Sequence, residues 1–580
     1  MDNITMARML DETASLLEIS GGDPFRIRSY RRAAEAIEQQ TQQLATLVDD
    51  PKKLLAIPGI GKGMAANITD MERSGEMQLR TELLSKYKPT ILDLLKLPGM
   101  GPKTVALLWE TLHISDVDAL EKVAKAGKLE SLPRMGAKQV EKILKGIEEF
   151  KRNTGRFRID DADEIAQQLI KAIRAFPGIK EITPAGSLRR GRETVGDLDL
   201  LVTGPACEPK VVSAAVEHVA SLPMIASLIA KGQNKVSFNL RNGLQVDVRL
   251  LPKSSYGAAL QYFTGSKMHN VSLRQRALKM GYTLSEYALA RLDDNSVVAS
   301  ATEKDIYAAL GMDWIAPEMR ENLGEIEAAA AHTLPKLISL DDIRGDVHMH
   351  TDATDGHNTI LEMATAAAER GYEYIAITDH SKNLAMTNGL DDKRAMEHVR
   401  RIREVDKQMK GKIRVFAGIE VDILADGALD LKDETLAEME VVIASVHTLF
   451  NLPAEEMTRR ILRAVENPYT RVLGHPTGRL VLKRDPYVFD LDAVLKRCAK
   501  LGVAVEHNAA PERADLNDLN LRRAKEYGCK IVVNTDAHAI NQLDKMKYGI
   551  TQLRRAWLTK DDVLNTLGAK EFLKALRKRP

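Results

Sequence analysis

Apolar residues recur at three- and four-residue spacings through the first 155 positions, with little strand-like alternation, which predicts a helical region. Within it, Leu54–Ile68 (LLAIPGIGKGMAANI) recurs as Leu94–Leu108 (LLKLPGMGPKTVALL). A degraded third copy spans Leu129–Ile143, where Arg134 replaces the first glycine. Each copy predicts a short helix, a Gly-x-Gly turn and a second helix. The polar run Lys151–Glu164 then marks a change of pattern. Apolar runs carrying acids follow, GDLDLL and LQVDVRLL, and predict strands. After residue 340, short wholly apolar runs (YIAI, VVIAS, KIVVN) each lead into a histidine or aspartate motif, the pattern of buried parallel strands with polar C-terminal ends. Between these regions an alanine-rich segment predicts a helix ended by Pro335, a semi-rigid linker.

At 580 residues the chain should form roughly three to four domains. Net charge is only +2, so any claim of nucleic-acid binding must come from local motifs. Cys207, Cys498 and Cys529 have unrelated spacings and form neither a disulfide framework nor a zinc knuckle. The N-terminus is an amphipathic charged helix without an apolar signal core, and no stretch is long enough to span a bilayer. A cytoplasmic protein in a reducing compartment, with no membrane partner, is expected.

The chemistry concentrates late in the chain. GDVHMHTDATDG supplies His348, His350 and Asp355; ITDH supplies His380; GIEVD supplies Glu420; SVHT supplies His447; LGHP supplies His475; TDAH supplies Asp536 and His538. A single histidine at such a place is more often a satisfied core or loop residue, but nine coincident positions argue for a multinuclear metal site. Mixed imidazole and carboxylate donors suit zinc, manganese or iron rather than calcium. These motifs resemble the polymerase-and-histidinol-phosphatase (PHP) metallohydrolase domain over about residues 341–575. The resemblance implies a distorted seven-stranded (β/α) barrel holding two or three Mn²⁺, Zn²⁺ or Fe ions. His348, His350, Glu420 and Asp536 would surround one ion. Glu420 would bridge to a second held by His447 and His475, and Asp355, His380 and His538 would hold a third. His357, His398 and His507 fall outside the pattern and are expected to be ordinary polar residues.

In the helical region, Gly59, Gly61, Gly99 and Gly101 permit tight turns and expose amides at helix N-termini, where a phosphate can sit. With Lys62 and Lys103 beside them they form the helix-hairpin-helix signature of proteins that grip the DNA backbone without reading sequence. In PAGSLRRGRETVGDLDLLVTG, Gly186 and Ser187 precede a basic turn containing Arg190. Gly196 then leads to Asp197 and Asp199, whose two-residue spacing puts both carboxylates on one strand face. Asp247 lies between Val246 and Val248 on a further strand. Three converging carboxylates suit two divalent cations and in-line phosphoryl transfer.

GSLRRG, GDLDLL, Asp247 and the box Tyr262–Phe263–Thr264–Gly265–Ser266, with Asn270 and Arg274, resemble the family X (polymerase beta) DNA polymerases over about residues 1–325. The resemblance implies that Asp197 and Asp199 bind both metals, Mg²⁺ or Mn²⁺, and that Asp247 helps activate a primer 3′-hydroxyl. Gly186, Ser187, Arg190 and Gly196 would contact the triphosphate. Tyr262 and Phe263, with Gly265 in the same box, would pack against the sugar; Asn270 would reach a base edge and Arg274 the template side. Tyr256, Tyr282 and Tyr287 are assigned to packing. One departure stands out: Asn67 occupies the slot of that family's lyase lysine, and an amide cannot form a Schiff base. Lys62 is the nearest substitute.

The expected fold is multidomain: a lyase-like helical domain with the first hairpin (1–85), a second hairpin subdomain (86–155), an α+β nucleotidyltransferase palm (156–250), fingers (251–325), a linker (326–340) and the PHP barrel (341–575). The leading expectation is a monomeric DNA polymerase that takes dNTPs and gapped or primer-template DNA in repair, with a 3′→5′ exonuclease, extended to abasic-site cutting, in the barrel. Two alternatives stand: a barrel acting on a small phosphomonoester, and a DNA-end-binding platform with lapsed catalysis.

Overall fold

A computed structural model of the chain describes residues 3–38, 44, 47–48, 50–57, 59–133, 135–153, 155–384 and 387–576. Arg134, the residue that breaks the third repeat, lies outside them. The chain divides into two compact units, Met1–Thr154 and Gly155–Pro580.

The first unit contains no strand among its described residues. One apolar cluster gathers Leu10, Tyr30, Ile37, Leu54, Ile68 and Met71; a second gathers Tyr87, Ile91, Leu94, Leu108, Leu120 and Ile143. Leu16 and Ile19 of the first helix (Asn3–Ile19) join the second cluster, so that helix serves both halves. The two good repeats form their turns at Gly59 (φ +94°) and Gly99 (φ +78°). Gly61 and Gly101 then cap the helices Lys62–Ser74 and Pro102–Leu112 without any side-chain hydrogen bond.

The second unit begins with a five-stranded sheet: β1 (Glu181–Pro184), β2 (Asp197–Thr203), β3 (Ile225–Lys231), β4 (Lys235–Leu240) and β5 (Gln245–Leu250), in the order β1-β2-β5-β4-β3. Only the β2–β5 pair is parallel. Alternation sends Leu198, Leu200, Val246 and Val248 into a core under the helices Ile159–Arg174 and Val212–Ala220, leaving Asp197, Asp199 and Asp247 on the other face. Two helices (Tyr256–Thr264, Lys267–Lys279), a small three-stranded sheet and the helix Glu303–Ala309 follow, around a separate core. The alanine-rich segment forms the helix Glu325–Ala330, whose Ile326 and Ala329 pack into that same core.

The last region is a barrel of seven parallel strands in sequence order: β6 (Gly345–Asp346), β7 (Tyr374–Ile377), β8 (Arg414–Asp422), β9 (Val441–Ser445), β10 (Val472–Leu473), β11 (Ala504–Asn508) and β12 (Ile531–Asn534). Among the described residues no ladder joins β6 to β12; one backbone bridge, Met349 with Ala537, and hydrogen bonds from Thr535 to Asp346 and from Val347 N to Asn534 Oδ1 connect the ends. Alternate residues face different layers. Tyr374, Ala376, Phe416, Val441, Ile443, Val472, Ala504 and Val532 form one cluster with Phe572 of the helix Ala569–Ala575; Ile375, Ile377, Val442, Leu473, Val505 and Val533 pack in another, with the surrounding helices. Continuing the first parity along each strand leads from Phe416 to Glu420 and Asp422, from Ala504 to Glu506, and from Val532 to Asn534 and Asp536. The barrel is therefore apolar at its N-terminal end and polar at the other. Among the described residues no helix is long and apolar enough to cross a membrane.

Candidate active sites

All nine motif residues of the barrel converge at its C-terminal mouth. Glu420, on β8, is the hub: its oxygens lie 2.9 Å from His475 Nε2, 3.0 Å from His380 Nδ1, 3.3 Å from His447 Nε2, 3.4 Å from His348 Nε2 and 3.6 Å from His350 Nε2. Asp536 Oδ1 stands 3.0 Å from His350 Nε2 and 3.6 Å from His348 Nε2. Asp355 Oδ2 is 3.5 Å from His380 Nε2 and 3.4 Å from His538 Nε2. Three sets are tight enough to hold an ion: His350, Asp355, His380 and His538; His348, His350 and Asp536; His380, Glu420 and His447. This grouping differs from the expected one, because the His350 ring stacks on His538 at 4.2 Å and lies tilted 4.3 Å from His380, so His350 faces two sets. His475 stands outside all three, against Glu420.

Several of these side chains are fixed from behind and have an unsatisfied front. His348 Nδ1 meets Glu506 at 2.7 Å and His447 Nδ1 meets Asp422 at 2.5 Å, while Nε2 of each ring is buried without a hydrogen-bond partner. His350 Nδ1, His475 Nδ1 and Glu420 Oε2 are orphaned in the same way. Buried polar atoms without partners are costly. A carboxylate behind an imidazole and a bare nitrogen in front is the arrangement that metal ligands need, so the residues fit a divalent ion cluster. Burial alone would raise the Glu420 carboxyl, but the adjoining His447, His348 and His380 outweigh it and hold it well below the usual range. Burial and the neighbours His538 and His380 push His350 down to about 4, which favours the neutral ring a metal requires.

Sequence reasoning missed the supporting acids. Asp422 fixes the His447 ring and Glu506 the His348 ring, and Asp379 holds the loop after His350 through Thr351 N (2.8 Å), Thr351 Oγ1 (2.7 Å) and Thr354 Oγ1 (2.5 Å). His398, expected to be an ordinary polar residue, is buried and pairs with Asp379 at 2.8 Å. His507 is also buried, with Nδ1 on the Leu516 carbonyl at 2.8 Å, whereas His357 is exposed. Arg513, likewise missed, brings Nε within 3.3 Å of Asp536.

In the palm, register places Asp199 directly opposite Asp247, with Asp197 two residues before on the same face. Burial and the charges of Asp197 and Asp247 push Asp199 up to about 7. Asp247 Oδ2 pairs with Lys235 Nζ at 2.8 Å; its Oδ1 is buried with no hydrogen bond. Mutually repelling carboxylates with an orphaned oxygen fit divalent cations. Gly186 sits at φ +57°, and a Cβ there would stand 2.7 Å from Asp199 Oδ2, so only glycine lets the turn approach the acids. Ser187 and Gly196 are partly accessible beside it.

Arg190 donates from Nη1 to the Thr264 carbonyl (2.5 Å) and from Nε to Glu321 (3.1 Å). Gly265, at φ +70°, lies against the same guanidinium. Tyr262 and Phe263 meet edge to face at 5.0 Å, and Arg249 covers the Phe263 ring. Asn270 is buried, its amide donating to Tyr262 O (2.7 Å) and accepting from Gln261 Nε2 (2.8 Å), so access to a base edge requires those bonds to open. Arg274 is exposed. Tyr256 and Tyr282 pack as expected; Tyr287 does not, being 61% exposed in the turn between two short strands.

In the helical unit, Gly61, Lys62, Gly101 and Lys103 are exposed at the two helix starts. Asn67 donates to the Tyr30 hydroxyl at 3.1 Å.

Comparison with known proteins adds the family. Residues 1–77 match the helix-hairpin-helix domain, 91–149 the SAM-like helix-hairpin-helix tandem, 259–321 the DNA polymerase beta thumb and 346–505 the PHP domain. The chain is 37% identical over 572 residues, 98% of each chain, to the DNA polymerase/3′-5′ exonuclease PolX of Bacillus subtilis (strain 168). The chain belongs to the family X DNA polymerases that carry a PHP domain. Within that family frame, the chain is also 29% identical over 248 residues to a probable phosphatase of Thermoanaerobacter sp. (strain X514), covering 40% of this chain and 96% of the relative. The chain is also similar to DNA polymerase lambda of Rattus norvegicus, at 24% over 343 residues, 55% of this chain and 56% of the relative.

Proposed function

We propose that the chain is a DNA-directed DNA polymerase that fills short gaps, and that its barrel trims 3′ ends as a 3′→5′ exonuclease. The observation that carries the reading is the full-length match to a relative named for both activities. Divalent cations would supply charge neutralisation and alignment for phosphoryl transfer at both centres. In the palm Asp197, Asp199 and Asp247 would hold them, and Asp247 would help activate the primer 3′-hydroxyl. Ser187, Arg190 and Gly196 would grip the triphosphate, and Tyr262 and Phe263 would set the sugar's position. At the two hairpins, bare amides with Lys62 and Lys103 would hold backbone phosphates. In the barrel the nine mouth residues would hold Mn²⁺, Zn²⁺ or Fe, and Arg513 offers a cation to a phosphodiester. A role in base excision repair, abasic-site cutting, a monomeric state and a cytoplasmic location complete the proposal.

The likeness of the barrel to a probable phosphatase favours a second reading, hydrolysis of a small phosphomonoester. The platform with lapsed catalysis is disfavoured by the buried, partnerless imidazole and carboxylate atoms of the complete cluster, which a bound ion would satisfy. The test uses purified protein on a labelled one-nucleotide gap, with a soluble phosphate ester in parallel. Asp197→Ala should abolish extension and spare trimming. Glu420→Ala should abolish trimming and spare gap filling. Ester turnover by wild type without DNA trimming would move the assignment to the second reading, and trimming that survives Glu420→Ala would place the nuclease elsewhere.

A further inference from the structure

The turn that carries Arg190 is supported from behind by the barrel domain. Gly191 (φ +66°) packs so closely on the helix Met546–Arg555 that a Cβ would stand 2.0 Å from Thr551 Cγ2. Gln552 Nε2 donates to the Gly191 carbonyl at 2.7 Å, and Arg555 Nη1 donates to the Arg190 carbonyl at 2.7 Å. The same Arg555 nitrogen donates to Glu321 Oε1 at 3.0 Å, the oxygen that also accepts from Arg190 Nε. Arg555 is anchored in turn by Asp518, at 2.9 and 2.7 Å, and its side chain is 2% exposed. Two residues beyond Gly191, Glu193 is gripped by both terminal nitrogens of Arg479.

A single helical turn such as Gly186–Arg189 has few bonds of its own, so its outward carbonyls take their position from whatever satisfies them. Here that partner is more than 350 residues away in sequence. Sharing Glu321 between two guanidiniums also leaves Arg190 incompletely neutralised, as a group meant for a triphosphate should be.

We infer that Arg555 and Gln552 of the PHP domain are positioning residues for nucleotide binding in the palm, acting through the backbone and guanidinium of Arg190. The inference rests on the proposed assignment of Arg190 to the triphosphate. Gap filling by the full chain is measured against dNTP concentration for Arg555→Ala, Arg555→Lys, the volume-conserving Gln552→Met, Arg190→Ala and the double variant Arg190→Ala/Arg555→Ala, with 3′ trimming as the parallel readout. Losing a charge-assisted bond should raise KM for dNTP about tenfold in Arg555→Ala, with a smaller change in kcat. Lysine should recover part of it, Gln552→Met should shift KM in the same direction, and trimming should stay at wild-type rates. In the Arg190→Ala background, Arg555→Ala should add nothing further. Wild-type KM in both Arg555→Ala and Gln552→Met, or full additivity with Arg190→Ala, overturns the inference while leaving the triphosphate assignment standing. An Arg190→Ala variant with unchanged KM overturns that assignment itself. If Arg555→Ala fails to fold, Gln552→Met decides.

Discussion

Glu303 should be among the most consequential single carboxylates for the stability of the polymerase half. It is 6% exposed and accepts from Arg189 Nη1 and Nη2 (2.8 Å each), from Arg320 Nη1 (2.7 Å) and from Trp314 Nε1 (3.3 Å). Burial alone would raise its pKa, but Arg320 and Arg189 outweigh burial and bring it from 4.5 to about 2. A depression of that size corresponds to about 3 kcal/mol of folding stability, near the lower end of the roughly 3–5 kcal/mol lost when one partner of a buried pair is removed. Because the folded value is depressed, the contribution is fully present above the unfolded value near 4.5 and is lost as pH falls toward 2. Glu303→Gln keeps the shape and removes the charge. With Trp109 and Trp557 replaced by phenylalanine in both proteins, Trp314 emission in urea reports this region alone. The variant should be about 3 kcal/mol less stable at pH 7, and the gap should shrink to about half by pH 3. Equal midpoints at pH 7, or a gap that widens on acidification, would refute the electrostatic account.

Asp422→Asn should weaken metal binding at the barrel roughly 10–100-fold, because His447 loses the carboxylate that fixes its ring; calorimetric titration with Mn²⁺ tests this, and unchanged affinity would contradict it. Manganese should support trimming better than magnesium, since imidazole-rich sites favour the softer ion, as initial rates in each metal will show. Borohydride should trap little covalent adduct with a 5′-deoxyribose-phosphate end, given Asn67 at the lysine slot; trapping that disappears in Lys62→Ala would shift that role to Lys62.

The cluster at the barrel mouth was legible because residue type and position agree: each motif closes or follows an apolar run short enough to be one strand. The acids behind them were not, although one cue was available. Asp422 lies two residues after Glu420, and Glu506 two after Ala504, so strand parity turns both inward with the interior residues. An acid beside a ligand motif otherwise looks like any solvated acid, and Asp379 was passed over for that reason. His398 reaches Asp379 from a helix, which no local spacing announces. Palm geometry was legible at Asp197, Asp199 and Asp247 through the two-residue period. The buried state of Asn270 was not, because it depends on how two helices meet. Least legible of all was the contact between Arg555 and the Arg190 turn, for which the sequence carries only an unremarkable basic helix end.

The open seam of the barrel has a mechanical consequence. β6 and β12 share no backbone ladder; the seam is held by one bridge with its His350 N to Ala537 O bond of 2.9 Å and by side chains, with Thr535 donating to Asp346, Val347 N to Asn534 Oδ1, and Asn565 Nδ2 to the carbonyls of Gly345 and Val533. His348 and His350 stand on one lip, Asp536 and His538 on the other. An ion gripped by His348, His350 and Asp536 would therefore act as a clasp, tying the first strand of the domain to the last. Chelation would then do more than silence chemistry: it would remove one tie across that seam and leave the rest to the side chains of Asp346, Asn534 and Asn565, so that amides of β6 and β12 exchange before those of β8 and β9. A chain that had closed its barrel around the wrong ion, or none, would be marked by a loose edge, and sound folding and a loaded site would become a single event.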